Sequence, residues 1–172
     1  MVEDFGFQIR DASDADREAL RALFHETERF YRQPLSHVDL RERAIDRLVR
    51  PGDLGCLVVY DGDRPVGYAT YTIMVPPLKG AMFVKEVFVS EPARGARVGD
   101  ALMRTLAARA AEHGCVRLDW TADEDNEGAQ RFYSRLGSDQ LTSKIYYRVG
   151  EADLEAFARG EKAIALPPPE EA

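Results

Sequence analysis

Apolar residues recur at helical spacing early in the chain: Ala19, Leu20, Leu23, Phe24, Thr27, Phe30 and Tyr31 form one stripe, leaving Arg17, Arg21, Glu28 and Arg32 for solvent or a cleft rim. Ser13 with Asp16 three residues on resembles a capping box at the start of this helix, and Pro34 ends it. A short strand at Gln8 to Arg10 precedes it. A second helix begins after Ser36, carries Val38, Ile45, Leu48 and Val49 inward, and stops at Arg50-Pro51-Gly52. Its Arg41, Arg43, Arg47 and Arg50 read as a solvated face. The period then changes to extended. Cys56 to Tyr60, a turn at Asp61 to Arg64, and Val66 to Val75 read as an antiparallel hairpin, and a turn at Pro76 to Gly80 leads to a strand from Met82 to Val89. A helix from Asp100 to His113 closes on Gly114, followed by a strand at Val116 to Thr121 and a polar loop at Asp123 to Asn126. A helix from Glu127 to Leu136 closes on Gly137, a last strand runs from Lys144 to Val149, and a short helix starts near Asp153. This order predicts a mixed sheet flanked by helices, an α+β or α/β domain without internal repeats.

Composition narrows the picture. The 172 residues are 45% hydrophobic and 31% charged, which suits one domain over residues 1–165, with the proline-rich residues 166–172 as a mobile tail. The net charge of −7 argues against nonspecific nucleic-acid binding and is compatible with a cationic small substrate. Met1-Val2-Glu3-Asp4 is acidic, and no run approaches membrane length, so a cytoplasmic protein without membrane partners is expected. Cys56 and Cys115 have no Cys or His at ligand spacing and read as small buried hydrophobes, and His25, His37 and His113 read as structural or surface-borne. No metal is implied.

Between Val84 and Leu102 a β-branched strand breaks at Pro92, passes Gly95 and Gly99, and becomes helix from about Asp100. Amides of a helix's first turn lack intrahelical partners and sit at the positive end of its dipole, so the stretch suits an anion such as phosphate. No Gly-Lys-Ser/Thr ends the loop and no Gly-x-Gly-x-x-Gly occurs, which excludes a Walker-type P-loop and the dinucleotide fingerprint.

Glu91 to Leu102 resembles the acyl-CoA loop of the GNAT N-acetyltransferases, written Arg/Gln-x-x-Gly-x-Gly/Ala, and Asn126 to Gly137 resembles the family's second signature of Asn, Ala, an aromatic-Tyr pair and a Leu-Gly ending. The resemblance covers nearly the whole chain. It implies the GNAT fold, a mostly antiparallel mixed sheet, and acetyl-CoA as co-substrate. It also implies cofactor contacts from Arg94, Gly95, Ala96, Arg97, Val98, Gly99 and Asp100, from Asn126, Ala129 and Tyr133, and from the main chain of Val87, Phe88 and Val89 where that strand parts from the Val116 to Thr121 strand. A homodimer is expected on the same ground. Arg97 stands where a second glycine is usual, and a negative φ there leaves the loop amides facing the phosphates. The pattern is closest to the diamine/polyamine acetyltransferase-like members, but where those carry two adjacent acids this chain has Lys85 before Glu86.

A primary amine of pKa about 10.4 is only roughly 0.1% neutral near pH 7.4, a deficit of about 4 kcal/mol that a base removes. Glu86 is the candidate. Strand alternation puts it on a face with Val84 and Phe88, opposite Phe83, Val87 and Val89, and burial raises a carboxyl towards the range useful for a base. By resemblance, Tyr133 faces the thioester sulfur and protonates the leaving thiolate. Glu26, Glu28, Tyr31 and Tyr71 are candidate contacts to a small amine, a diamine, polyamine or amino-acid-like compound. The alternatives are acetylation of a protein or peptide amine, or a CoA-binding regulatory module without catalysis.

Overall fold

The computed structural model describes residues 5–32, 38–50, 52, 54–74 and 80–161. The expected breaks at Pro34 and Pro51, the helix start near Ser36, His37, most of the Pro76 to Gly80 turn, the acidic first residues and the tail lie outside the described residues. The chain groups into two compact units, Met1–Phe132 and Tyr133–Ala172.

In the first unit, β1 (Gln8–Asp11), β2 (Leu54–Asp61), β3 (Arg64–Met74), β4 (Ala81–Val89) and β5 (Leu118–Trp120) form one sheet in sequence order. The first four pair antiparallel and β4 pairs parallel with β5. Helices α1 (Arg17–Tyr31) and α2 (Val38–Leu48) cover one face, where Leu20, Leu23, Ile45, Leu48 and Val49 pack on Cys56, Val58, Tyr68 and Phe88. Helix α3 (Val98–Glu112) packs on the other face and buries Val98, Leu102 and Leu106. Strands β2 and β3 are therefore apolar on both faces, which is why their sequence reads as a continuous run rather than an alternation.

The start of α1 is fixed by Asp16, which is fully buried. Its carboxylate accepts from the Ser13 N–H at 2.8 Å, from the Arg10 guanidinium at 2.7 and 2.6 Å, and from the Tyr60 hydroxyl at 2.7 Å. Burial alone would raise this carboxyl, but those donors outweigh it and hold it at about 2. Helices α1 and α2 are tied by ion pairs Arg17–Asp46 at 2.7 Å, Arg21–Glu42 at 2.8 Å and Arg41–Glu28 at 2.5 Å. Arg41 is thus a largely buried partner of Glu28 rather than part of a solvated face.

Helix α4 (Glu127–Arg135) follows β5 and runs across the boundary between the units, and α5 (Leu154–Ala158) begins where a short helix was expected. The strand expected from Lys144 to Val149 does not form. The segment is irregular, with Ile145, Tyr146 and Tyr147 exposed at 76%, 69% and 80%. Ile145, Tyr146, Tyr147 and Val149 supply strand propensity, but a strand exists only where a neighbour completes its ladder.

Candidate active site

The loop after β4 begins with a 3-10 turn at Glu91–Ala93 in which Pro92 sets the backbone. Gly95 then takes φ +86°. Arg97 takes φ +65°, the left-handed region, so the condition of a negative φ there is not met: the arginine sits in a backbone conformation that favours glycine, at a cost of about 1 kcal/mol. The first helical bond of α3 runs from the Ala101 N–H to the Arg97 carbonyl at 3.0 Å, so the amides of Val98, Gly99 and Asp100 precede the helical ladder. The Arg97 guanidinium donates to Asp100 at 2.9 Å and lies 4.8 Å from the centre of the Phe5 ring. A Cβ on Gly99 would stand 3.0 Å from Cζ of Phe132, so this glycine lets the α3 N-terminus meet a ring from α4. Gly67 on β3 serves the same loop from below: a Cβ there would stand 2.7 Å from the Phe88 carbonyl and 3.5 Å from Val98. The partnerless first-turn amides and the left-handed turns at Gly95 and Arg97 fit an acyl-CoA pyrophosphate.

Strands β4 and β5 pair only through Met82↔Leu118, Phe83↔Asp119 and Val84↔Trp120. Beyond Val84 the ladder stops while β4 continues to Val89, bonded on its other side to β3, so the β5-side edge at Val87, Phe88 and Val89 carries no strand among the described residues. At that point β4 bulges. Val84 pairs with Tyr71 and Glu86 with Thr70, leaving Lys85 as the extra, exposed residue. The bulge reverses the alternation predicted from sequence: Glu86 shares a face with Thr70, Phe88 and Tyr68, under α1, while Val84 faces α3 with Tyr71. The structure therefore separates Glu86 from Val84.

Glu86 is half-buried, and burial, reinforced by the charge of Asp123 and opposed by Lys85 and by Tyr31, raises its carboxyl above the ordinary range. The Tyr31 hydroxyl donates to Glu86 Oε1 at 3.4 Å, and the neighbouring Phe30 ring meets Phe88 with centroids 6.4 Å apart. Of the other expected acceptor contacts, Glu26 is half-buried on α1 and Glu28 is engaged by Arg41. Tyr71 is 5% exposed on the α3 face, where it accepts a bond from Arg109 at 3.2 Å, and this takes it out of the acceptor side. Asn126 Oδ1 accepts the Ala129 N–H at 3.0 Å and so caps α4. Gln130 Nε2 braces the preceding loop through the carbonyls of Asp123 and Glu124 at 3.2 and 2.6 Å. Tyr133, in the second unit, is half-buried, and its carbonyl accepts the Leu136 N–H at 3.0 Å and the Ser138 hydroxyl at 2.8 Å. Among the described residues no group of His, Cys, Asp and Glu suits a metal ion, and no helix is long and apolar enough to cross a membrane.

Residues 18–138 match the acetyltransferase (GNAT) family. The chain belongs to that family. Among solved structures, the integron cassette protein VCH_CASS6 from the mobile metagenome of V. cholerae is similar at 32% identity and a TM-score of 0.77, over 90% of this chain and 98% of that one. AAC(6')-Iy, in complex with a CoA bisubstrate analogue, has 18% identity and a TM-score of 0.71 over 84% and 98%. The ribosomal-protein-alanine N-acetyltransferase from Brucella melitensis biovar Abortus 2308 has 18% identity and a TM-score of 0.70 over 83% and 99%. The last two are named for different acceptors and share with this chain a fold.

Sequence reasoning overlooked Asp123, Phe132 and Gly67. The glycine inside a strand pattern was the one usable signal, since such a glycine marks a close backbone approach. The effect of Asp123 on Glu86 joins residues far apart in sequence, and neither segment announces it.

Proposed function

We infer that the chain transfers the acetyl group of acetyl-CoA to a primary amine of a small molecule, a diamine, polyamine or amino-acid-like compound, by direct attack in a ternary complex. The observation that carries this is the bulge at Lys85: where β4 leaves β5, a carboxyl of raised pKa stands beside an open strand edge that runs into the glycine loop. Acetyl-CoA supplies the acyl group already activated as a thioester. Its pyrophosphate rests on the amides from Gly95 to Asp100, and its pantetheine arm lies along Val87 to Val89, with Asn126 and Ala129 beside it.

Glu86 takes the proton that the ammonium must lose, directly or through one water, and Tyr31 steadies the carboxylate between turnovers. A carboxyl kept above its ordinary range is a stronger base once ionised, which suits an amine of pKa about 10.4. Tyr133 returns a proton to the departing sulfur. The carboxylates of Glu86 and Asp123 favour a cationic acceptor, in keeping with the acidic chain. Lys85, exposed on the bulge, stands where the polyamine-directed relatives carry the first of two adjacent acids, which favours amines with a single charge near the reacting nitrogen. The protein functions in the cytoplasm as a homodimer.

The test is release of CoA thiol from acetyl-CoA with spermidine, a short diamine, lysine, an aminoglycoside or a lysine-bearing peptide, against a control without acceptor. Turnover with a small amine, lowered at least tenfold in Tyr133→Phe and in Glu86→Gln with acetyl-CoA affinity retained, is the expected result. Turnover with the peptide alone would move the assignment to protein acetylation. Full activity in both variants would refute the roles given to these residues.

A further inference from the structure

The last turn of α1 touches two parts of the proposed site at once. Tyr31 reaches Glu86, while Phe30, one residue earlier and 47% exposed, lies under the guanidinium of Arg94, whose Cζ is 4.6 Å from the ring centre. Arg94 Nε in turn donates to the Val89 carbonyl at 3.1 Å. That bond closes the five-residue step from the end of β4, through the 3-10 turn, to the glycine loop. A cation held over a ring face is attracted to it without using a hydrogen-bond donor, so the contact restricts the Arg94 rotamer without competing for its bond to Val89. Phe30 is itself held: its ring is edge-on to Tyr31 at 5.0 Å and meets Phe88 at 6.4 Å, and Phe88 meets Tyr68 at 5.9 Å. A half-exposed phenylalanine on a helix terminus has little to gain from its own burial, and its ring contacts account for its place.

We propose that Phe30 is a positioning residue for acetyl-CoA, holding Arg94 against Val89 so that the loop amides are set before the cofactor arrives. The proposal rests on the reading of Gly95 to Asp100 as the acyl-CoA loop. Preorganisation of this kind shows in the affinity for acetyl-CoA and not in the chemical step.

The experiment is calorimetric titration of the full chain with acetyl-CoA for the wild type, Phe30→Ala, Phe30→Tyr, Arg94→Ala and the Phe30→Ala/Arg94→Ala double variant, with kcat measured alongside. Loss of one exposed cation–π contact predicts a Kd raised about two- to five-fold in Phe30→Ala with kcat within twofold, and recovery in Phe30→Tyr. In the Arg94→Ala background the Phe30→Ala substitution is expected to add nothing, which a merely structural role would not produce. Unchanged affinity in Phe30→Ala, or an equal penalty with and without Arg94, overturns the proposal while leaving the functional reading in place. Absence of acetyl-CoA binding in the wild type overturns both.

Discussion

Replacing Gly55 by alanine tests the assignment of Tyr71 to the core. A Cβ at Gly55 would stand 2.1 Å from Tyr71 Cζ and 2.5 Å from both Cε1 and the hydroxyl oxygen. An ordinary carbon contact is about 3.5–4.0 Å, so the ring must retreat by about 1.4 Å. It has little room, being 5% exposed beneath α3, and the retreat stretches its bond to Arg109 beyond the present 3.2 Å. Overpacking of this kind costs about 1–3 kcal/mol and a lost hydrogen bond about 1 kcal/mol, for a total of about 2–4 kcal/mol. Urea unfolding followed by fluorescence of Trp120, the one tryptophan and a residue of β5, reads the loss as a lowered midpoint at constant slope. With Tyr71→Ala as background, Gly55→Ala should cost less than about 0.5 kcal/mol, because the opposing ring is gone. A Gly55→Ala protein as stable as the wild type, or one equally destabilised without Tyr71, would show that the ring does not fill that space. Tyr71→Phe carries the functional half: it should leave the acceptor KM within twofold, whereas a direct substrate contact would raise it.

Other outcomes follow from the charged groups and the loop. The folded Glu86 carboxyl titrates above its unfolded counterpart, so its ionisation opposes folding as pH rises through the interval between the two; Glu86→Gln should therefore be more stable than the wild type at pH 8 although less active, and a loss of stability there would contradict the burial account. Asp16 has the reverse sign. Held at about 2 when folded against about 3.9 unfolded, it stabilises by about 2.5 kcal/mol above pH 5, a contribution lost as pH falls towards 2, so Asp16→Asn should flatten the acid limb of stability measured by urea midpoint from pH 6 to pH 3. At Arg97, held at φ +65°, glycine should be tolerated with acetyl-CoA affinity within about threefold, whereas valine should cost about 1–2 kcal/mol in thermal or urea unfolding. Equal stability of the two variants would remove the left-handed backbone as the reason.

The amino-acid sequence by itself determined the elements whose signals are local. Ser13 and Asp16 mark the start of α1, Leu20, Leu23 and Phe24 its inward face, Gly114 and Gly137 its successors' ends, and the two signatures around Gly95 and Asn126 the family. These depend on neighbours within a few residues, which is as far as hydrophobic periodicity and capping reach. The tertiary structure decided the rest. Period-2 alternation assigns faces correctly only while the ladder is regular, and one inserted residue, Lys85, moved Glu86 to the α1 side and left Val84 and Tyr71 on the other. The fates of Glu28 and Tyr71 were settled by partners distant in sequence, Arg41 on α2 and Arg109 on α3, and nothing in their own segments announces those bonds. Likewise the Lys144 to Val149 segment carries strand propensity without a ladder. Propensity belongs to a residue and its neighbours, whereas a hydrogen-bond ladder, an ion pair and a raised pKa belong to pairs that only folding brings together.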